Sequence, residues 1–374
     1  MNPRTRAFLQ LPQGAESFYL EEAQRHEEIL QHMRILFGQW GYLPVQTPVF
    51  DFYDIYRPFL DVHARETIYR LVDREGDLLM LRSDVTLFLA KQIGMIISHR
   101  DLPIRVWYAD TILRHQDEED ISKNEFYQVG AELIGKSGSH ADLEVLLLLF
   151  RSLETLKLTD YQIHIGSREV FNGCFDALDE DNKLKLLQAI SLRDFEKVHT
   201  ILEEEGFEDG KTAFFCRLFS SIGTLKTLVP LMQEGKKEGF LTYQTEKALQ
   251  QLMDTFSILQ TLGKEDLFRL DLSELGGQGY YTGIVFQAYK EGVDAAFASG
   301  GRYDNLLAHF GFSAPAVGFS IMLRKIEGFL PKEPVINQKT PIPITDSDFI
   351  TAYRKAEEVR HKGGIALLGG TSHG

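Results

Sequence analysis

Only two cysteines, Cys174 and Cys216, occur in 374 residues, far apart and without histidine or cysteine neighbours. That scarcity argues against a disulfide framework and a zinc site, so both are expected as buried free thiols. Long apolar runs are lacking too. No segment approaches the roughly 20 residues of a membrane span. Residues Met1 to Leu9 hold no sustained apolar run, so a cytoplasmic location without a membrane partner is expected. Cations are the third shortage: 40 lysines and arginines face 54 acidic residues, a formal charge of −14. Such a surface disfavours non-specific nucleic-acid binding. What is present suits a globular protein of two or three domains, since 44% of residues are hydrophobic.

The pattern predicts a helix over 16–38, ending in glycine, and then an extended edge segment with Pro44 and Pro48. A hairpin follows over 67–82, then a strong helix over 141–156 and a strand over 161–165. From about 171 to 262 the apolar spacing in threes and fours predicts an inserted helical subdomain. Strands return at 280–289, 295–299 and from 316. Residues 331–343 hold four of the twelve prolines and read as a linker. One helix over 346–360 and one strand over 365–368 complete a short C-terminal appendage, 331–374, beyond a core spanning 1–330.

The most informative stretch is 105–135, two strands joined by an acidic loop, Asp117 to Asp120. Alternation puts Gln128, Gly130 and Glu132 on one side and Val129, Ala131 and Leu133 on the other, the core side. Gly130 would let a ligand approach the backbone. A guanidinium at Arg114 with the Glu132 carboxylate suits a zwitterionic amino acid, although a plain polar sheet face has the same pattern. Ser83-Asp84-Val85-Thr86 reads equally as a helix cap or as ligand-binding residues. Gly300-Gly301 reads as a tight turn leading into a helix, either presenting Arg302 and Tyr303 to a pocket or serving only as a turn.

Five blocks in order carry a resemblance: Leu81 to Thr86, Arg114, Phe126 to Gly135, Tyr280-Tyr281-Thr282-Gly283, and Gly300 to Asp304. Together they resemble the catalytic core of histidyl-tRNA synthetases over most of residues 10 to 328. The resemblance implies an α+β, class II aminoacyl-tRNA synthetase-like fold, an antiparallel sheet flanked by helices, and a homodimer. It implies a histidine pocket of Asp84, Thr86, Arg114, Gln128, Glu132, Tyr280, Tyr281 and Tyr303, with aspartate at 84 where those enzymes usually have glutamate.

The adenylation motifs depart from that family. His115 and Gln116 stand in place of x-Glu after the motif arginine, and Ile121 to Phe126 replaces Gly-Arg-x-Arg-Glu-Phe. Gly276-Gly277-Gln278-Gly279 replaces Arg-Gly-Leu-Asp, and Met322-Leu323-Arg324-Lys325 replaces Gly-x-Glu-Arg. Lysine is a poor substitute for an arginine stacked on adenine. The acidic run, a solvated loop tip or not, offers a triphosphate no help.

A kept amino-acid pocket with a lost nucleotide grip resembles the synthetase paralogues that serve as regulatory subunits of ATP phosphoribosyltransferase, without the anticodon-binding domain. That likeness implies no catalytic residue, cofactor or metal. It implies a short-form catalytic ATP phosphoribosyltransferase subunit as partner, in a hetero-oligomer of four regulatory and four catalytic chains, with histidine as effector. A divergent enzyme that still activates an amino acid with ATP is the alternative. An amino-acid-sensing domain of a larger regulator fits less well, because no kinase or DNA-binding module is present.

Overall fold

The computed structural model describes residues 11–12, 14–15, 17–60, 62–115, 124–277, 279–293, 295–331, 339–343 and 349–369. The acidic loop Asp117 to Asp120, the replaced motif at 121–123 and Gln278 lie outside the described residues. The chain divides into two compact units, Met1–Leu330 and Pro331–Gly374.

In the first unit, helix α1 (Leu20–Gln39) buries Ile29, Met33, Leu36 and Phe37, the stripe that its apolar spacing dictates. Strand β1 (Leu43–Pro44) follows, then β2 (Phe50–Phe52), β3 (Arg70–Val72) and β4 (Leu78–Leu81). The last three pair as a small sheet in the order β2-β4-β3. Its hairpin turn is held by Asp73, whose Oδ1 accepts the amides of Glu75 at 3.0 Å and Asp77 at 2.8 Å. Helix α2 (Val85–Ile96) comes next, then the long pair β5 (Ile104–Leu113) and β6 (Glu125–Ile134), in register from Ile104 opposite Ile134 to Leu113 opposite Glu125.

Helix α3 (Ser139–Thr155), strand β7 (Tyr161–Ser167) and helix α4 (Arg168–Cys174) lead into the helical insertion. It consists of α5 (Glu180–Ser191), α6 (Phe195–Glu204), α7 (Asp209–Ser220), the short β8 (Ile222–Gly223), α8 (Leu225–Lys237) and α9 (Tyr243–Thr261). Strands β9 (Phe268–Asp271), β10 (Ile284–Lys290), β11 (Ala298–Arg302) and β12 (Ala316–Met322) then complete a nine-stranded sheet in the order β1-β5-β6-β12-β11-β10-β7-β9-β8.

This sheet is mixed rather than purely antiparallel. Strand β1 runs parallel to β5, and β7 runs parallel to β9. The β7 to β9 connection is the whole helical insertion, long enough to return the chain in the same direction. Both faces of β6 are covered. Val129, Ala131 and Leu133 enter a large core with α1, α3 and the insertion helices, and a second core around α2, Tyr108 and Tyr303 lies apart from it. The face that carries Gln128 and Glu132 is therefore not a solvated sheet face, since they are only 2% and 1% exposed.

The adjacent glycines correct a second expectation. Gly300 and Gly301 lie inside β11, not in a turn. A Cβ on Gly300 would sit 2.4 Å from the Gly318 carbonyl oxygen and 2.5 Å from the Phe286 ring, so close strand packing is what requires glycine. Arg302 does not face a pocket either. Its Nε donates to Asp142 at 2.8 Å, and its terminal nitrogens reach Asp304 at 2.9 Å and the Gly138 carbonyl at 3.2 Å. Only a 3-10 turn, Leu307–Phe310, follows. Breaking a buried pair by removing one partner leaves an uncompensated charge, so Arg302→Met is expected to cost about 3–5 kcal/mol in urea denaturation.

The second unit corrects the linker reading. Within 331–343, Lys339–Ile342 form β13, parallel to β14 (Ile365–Leu368) across helix α10 (Phe349–His361), around Ile342, Ala352, Ala356 and Ala366. Residues 332–338 of that stretch lie outside the described residues. Cys174 is buried as expected, whereas Cys216 is half-buried, and neither is in a disulfide. No described helix is long and apolar enough to cross a membrane.

Candidate functional site

All eight residues expected at the amino-acid pocket line one cavity, where β6, β11 and β12 meet the start of α2 and the Tyr280–Tyr281 loop. Glu132 is its centre. Its Oε1 accepts from Thr86 Oγ1 at 2.8 Å and Tyr108 OH at 3.4 Å, and its Oε2 accepts from Tyr303 OH at 2.6 Å. Burial pushes this carboxyl up to about 8; the three hydroxyl hydrogen bonds oppose that rise and the charge of Asp84 adds to it. The empty site thus keeps a protonated acid at neutral pH.

Asp84 serves both roles left open by its sequence. One oxygen, Oδ1, caps α2 by accepting the Leu87 amide at 3.1 Å. The other, Oδ2, faces the cavity, accepting from Tyr280 OH at 3.4 Å with Arg114 Nη2 3.7 Å away. Arg114 is oriented by Nε, which donates to the Ser83 carbonyl at 2.8 Å. Gln128 Oε1 accepts the Val85 amide at a long 3.4 Å. Tyr280 packs at a tilt against Tyr281 and edge-to-face against Tyr303, with ring centroids 5.1 and 5.8 Å apart.

The cavity is small, about 40 Å³. Its side chains satisfy one another rather than leaving a preformed void. A neighbouring cavity of about 270 Å³ shares Arg114, Tyr281, Ser299 and Met322 with it and extends past Phe126, Gly276, Gly277 and Lys325. Among the described residues that line it are the cations Arg114 and Lys325 and no carboxylate. A ligand with a carboxylate near Arg114 can span both spaces.

Two residues of this arrangement were not among those singled out from sequence. Tyr108 lies opposite Gly130 in the β5–β6 register, and a Cβ on Gly130 would fall 2.4 Å from the Tyr108 hydroxyl and ring. The space at Gly130 is therefore occupied by tyrosine, not open to a ligand. Gly318 lies opposite Glu132, and its Cβ would fall 1.4 Å from Glu132 Oε2. Only cross-strand register reveals either requirement. Gly318→Ala is expected to displace the carboxyl, cost about 1–3 kcal/mol of stability through overpacking, and weaken amino-acid binding in calorimetry at least 100-fold, on the order of losing a buried charge contact.

His164, Asp271 and Glu274 come together away from this cavity. Asp271 is already satisfied: Oδ1 accepts from Ser273 Oγ at 2.7 Å, and Oδ2 from His164 Nδ1 at 2.9 Å and from Arg193. The group is a charge-balanced network that ties the insertion to the sheet rather than a set of vacant ligands.

The geometry agrees with known proteins. A family model described as histidyl-tRNA synthetase matches residues 14–326. The crystal structure of a protein described as an ATP phosphoribosyltransferase regulatory subunit/histidyl-tRNA synthetase, from Bacillus halodurans, superposes with a TM-score of 0.85 at 23% identity, covering 96% of this chain and 92% of that one. An ATP phosphoribosyltransferase regulatory subunit from Clostridium kluyveri is 30% identical over 96% of this chain and 92% of its own length. The chain belongs to the family of ATP phosphoribosyltransferase regulatory subunits. Another regulatory subunit, from Syntrophotalea carbinolica, is 31% identical over 84% of this chain and 73% of its own length. For this regulatory-subunit family member the fold is the class II synthetase-like one. Phe126 and Lys325, which stand at synthetase motif positions, both line the larger cavity.

Proposed function

We propose that this chain is a non-catalytic regulatory subunit that a short-form catalytic ATP phosphoribosyltransferase needs for activity and for feedback inhibition by histidine. The observation that carries this reading is the asymmetry of the paired cavities. The smaller one gathers Asp84, Thr86, Gln128 and Glu132 for an ammonium group beside Arg114 for a carboxylate. The larger one has Gly276 and Gly277 where synthetases carry Arg-Gly, and Lys325 where they carry the arginine that stacks on adenine.

In this reading histidine places its ammonium at Glu132, its carboxylate on Arg114 and its imidazole beside Tyr281 and Tyr303. It reaches into the larger cavity because the smaller alone holds about 40 Å³. Coupling to the catalytic chain requires that histidine bind two states of the assembly unequally. The chain acts in the cytoplasm as a homodimer within a larger hetero-oligomer, without metal, cofactor, nucleic acid or membrane.

One feature favours a second reading. The larger cavity is lined by the cations Arg114 and Lys325, and an enzyme that activates an amino acid with ATP needs such cations for the anion. Amino-acid-dependent ATP–pyrophosphate exchange, run beside histidine calorimetry on the same preparation, separates the two. Histidine binding without exchange is expected. Exchange above background establishes the enzyme instead.

A further inference from the structure

Arg168 has no part in the pocket as inferred from sequence. It is the first residue of α4, directly after β7, and is 8% exposed. Among the described residues it pairs with no carboxylate, and its Nε has no hydrogen-bond partner. Burial pulls its guanidinium down to about 10, so it remains charged at neutral pH. A desolvated cation without a counter-ion is costly, and its two contacts indicate what it does in return. Its Nη2 donates to the Gly276 carbonyl at 3.3 Å, and its backbone amide donates to the Gly283 carbonyl at 2.8 Å.

Those two carbonyls stand at the two ends of the loop that carries Tyr280 and Tyr281 into the cavity. Gly276 has φ of +73°, and a Cβ there would fall 2.5 Å from the Tyr281 ring, so this end of the loop packs tightly on a site residue. Tyr281 lines both cavities, so an amino acid that spans them contacts this loop.

We infer that Arg168 is a positioning residue of the amino-acid pocket, tying both ends of the Tyr280–Tyr281 loop to α4 so that ligand binding at the loop is passed to α4, the helix that leads into the helical insertion. This rests on the reading of the cavity as a histidine site. The tie acts on the loop and not on the ligand, so losing its side-chain half weakens binding modestly while releasing the Gly276 end from α4.

Backbone hydrogen exchange of the full chain, with and without saturating histidine, tests this in the wild type and in Arg168→Met. In the wild type, added protection is expected in 276–283 and also in 168–174. In Arg168→Met, which keeps the backbone bond to Gly283, histidine affinity is expected to fall about fivefold to tenfold, the scale of one ordinary hydrogen bond, with the added protection of 168–174 reduced. Equal protection of 168–174 in variant and wild type overturns the inference while leaving the histidine site standing. Should the variant not fold, the wild-type arm still decides, since protection that stops at Gly283 overturns the coupling. Wild-type chain that binds no histidine overturns the site reading and this inference with it.

Discussion

Glu132→Gln is expected to lower histidine affinity at least about 100-fold while leaving the unliganded chain at least as stable as before at pH 7. The two halves of this result have one cause. With its carboxyl pushed up to about 8, Glu132 is neutral in the empty pocket, and glutamine replaces it with a neutral group of the same shape. Thr86 and Tyr303 donate to different oxygens of Glu132, so in glutamine one hydroxyl can still donate to the amide oxygen while the other can turn to accept from the amide nitrogen. When an ammonium arrives, however, the wild-type acid ionises and forms a buried charge pair that glutamine cannot form. Truncating one partner of such a pair typically costs about 2–5 kcal/mol. Calorimetry reads the first half and thermal denaturation the second. Binding within threefold of wild type would remove Glu132 from the ammonium site.

The same ionisation gives the second large effect. Below about pH 8 the empty pocket must release a proton to take the ammonium, so histidine affinity is expected to rise with pH. The slope is roughly tenfold per pH unit, because each unit adds about 1.4 kcal/mol of linkage. It flattens above 8, where Glu132 is already ionised. Repeating the titration at pH 7 in buffers of different ionisation enthalpy should show close to one proton released. Stability of the empty chain runs the other way. A carboxyl raised above its unfolded value contributes fully at pH below its ordinary range, and that contribution is lost as pH rises through about 8. An affinity independent of pH between 6.5 and 8 would mean that Glu132 is ionised before the ligand arrives.

Local patterns made much of this legible. Alternation along 125–134 separated Val129 and Leu133 from Gln128 and Glu132, because a strand has period two whatever it pairs with. The apolar threes and fours of the insertion likewise read as helices. Requirements set across strands were not legible. Gly130 looked like room for a ligand, but Tyr108 on β5 fills that room. Gly300 and Gly301 looked like a turn because glycine pairs usually mark one, yet they admit the neighbouring strand and the Phe286 ring. Arg302 looked poised for a pocket because its partners Asp142 and Gly138 lie far off in sequence. Prolines at 331–343 suggested a linker, and Lys339–Ile342 nevertheless pairs with β14, where Pro341 sits in a two-stranded sheet and costs little.

The eight pocket residues are a different case. Nothing in local periodicity places Tyr280, Tyr281 or Tyr303 near Glu132, and only resemblance to a known core suggested that they share a site. In the fold they line one cavity, filled by their own hydrogen bonds. Such a self-satisfied pocket suits a protein that must switch between two states more than one that must bind substrate rapidly.

The central claim is that this chain regulates a catalytic partner through that pocket. The direct measurement is the rate of phosphoribosyl-ATP formation by the cognate short catalytic chain, with this chain absent or present and with histidine titrated in. The account predicts stimulation on adding the wild-type chain and its reversal by histidine, and with Glu132→Gln it predicts stimulation that histidine no longer reverses. A folded wild-type chain that leaves the catalytic rate unchanged would contradict it.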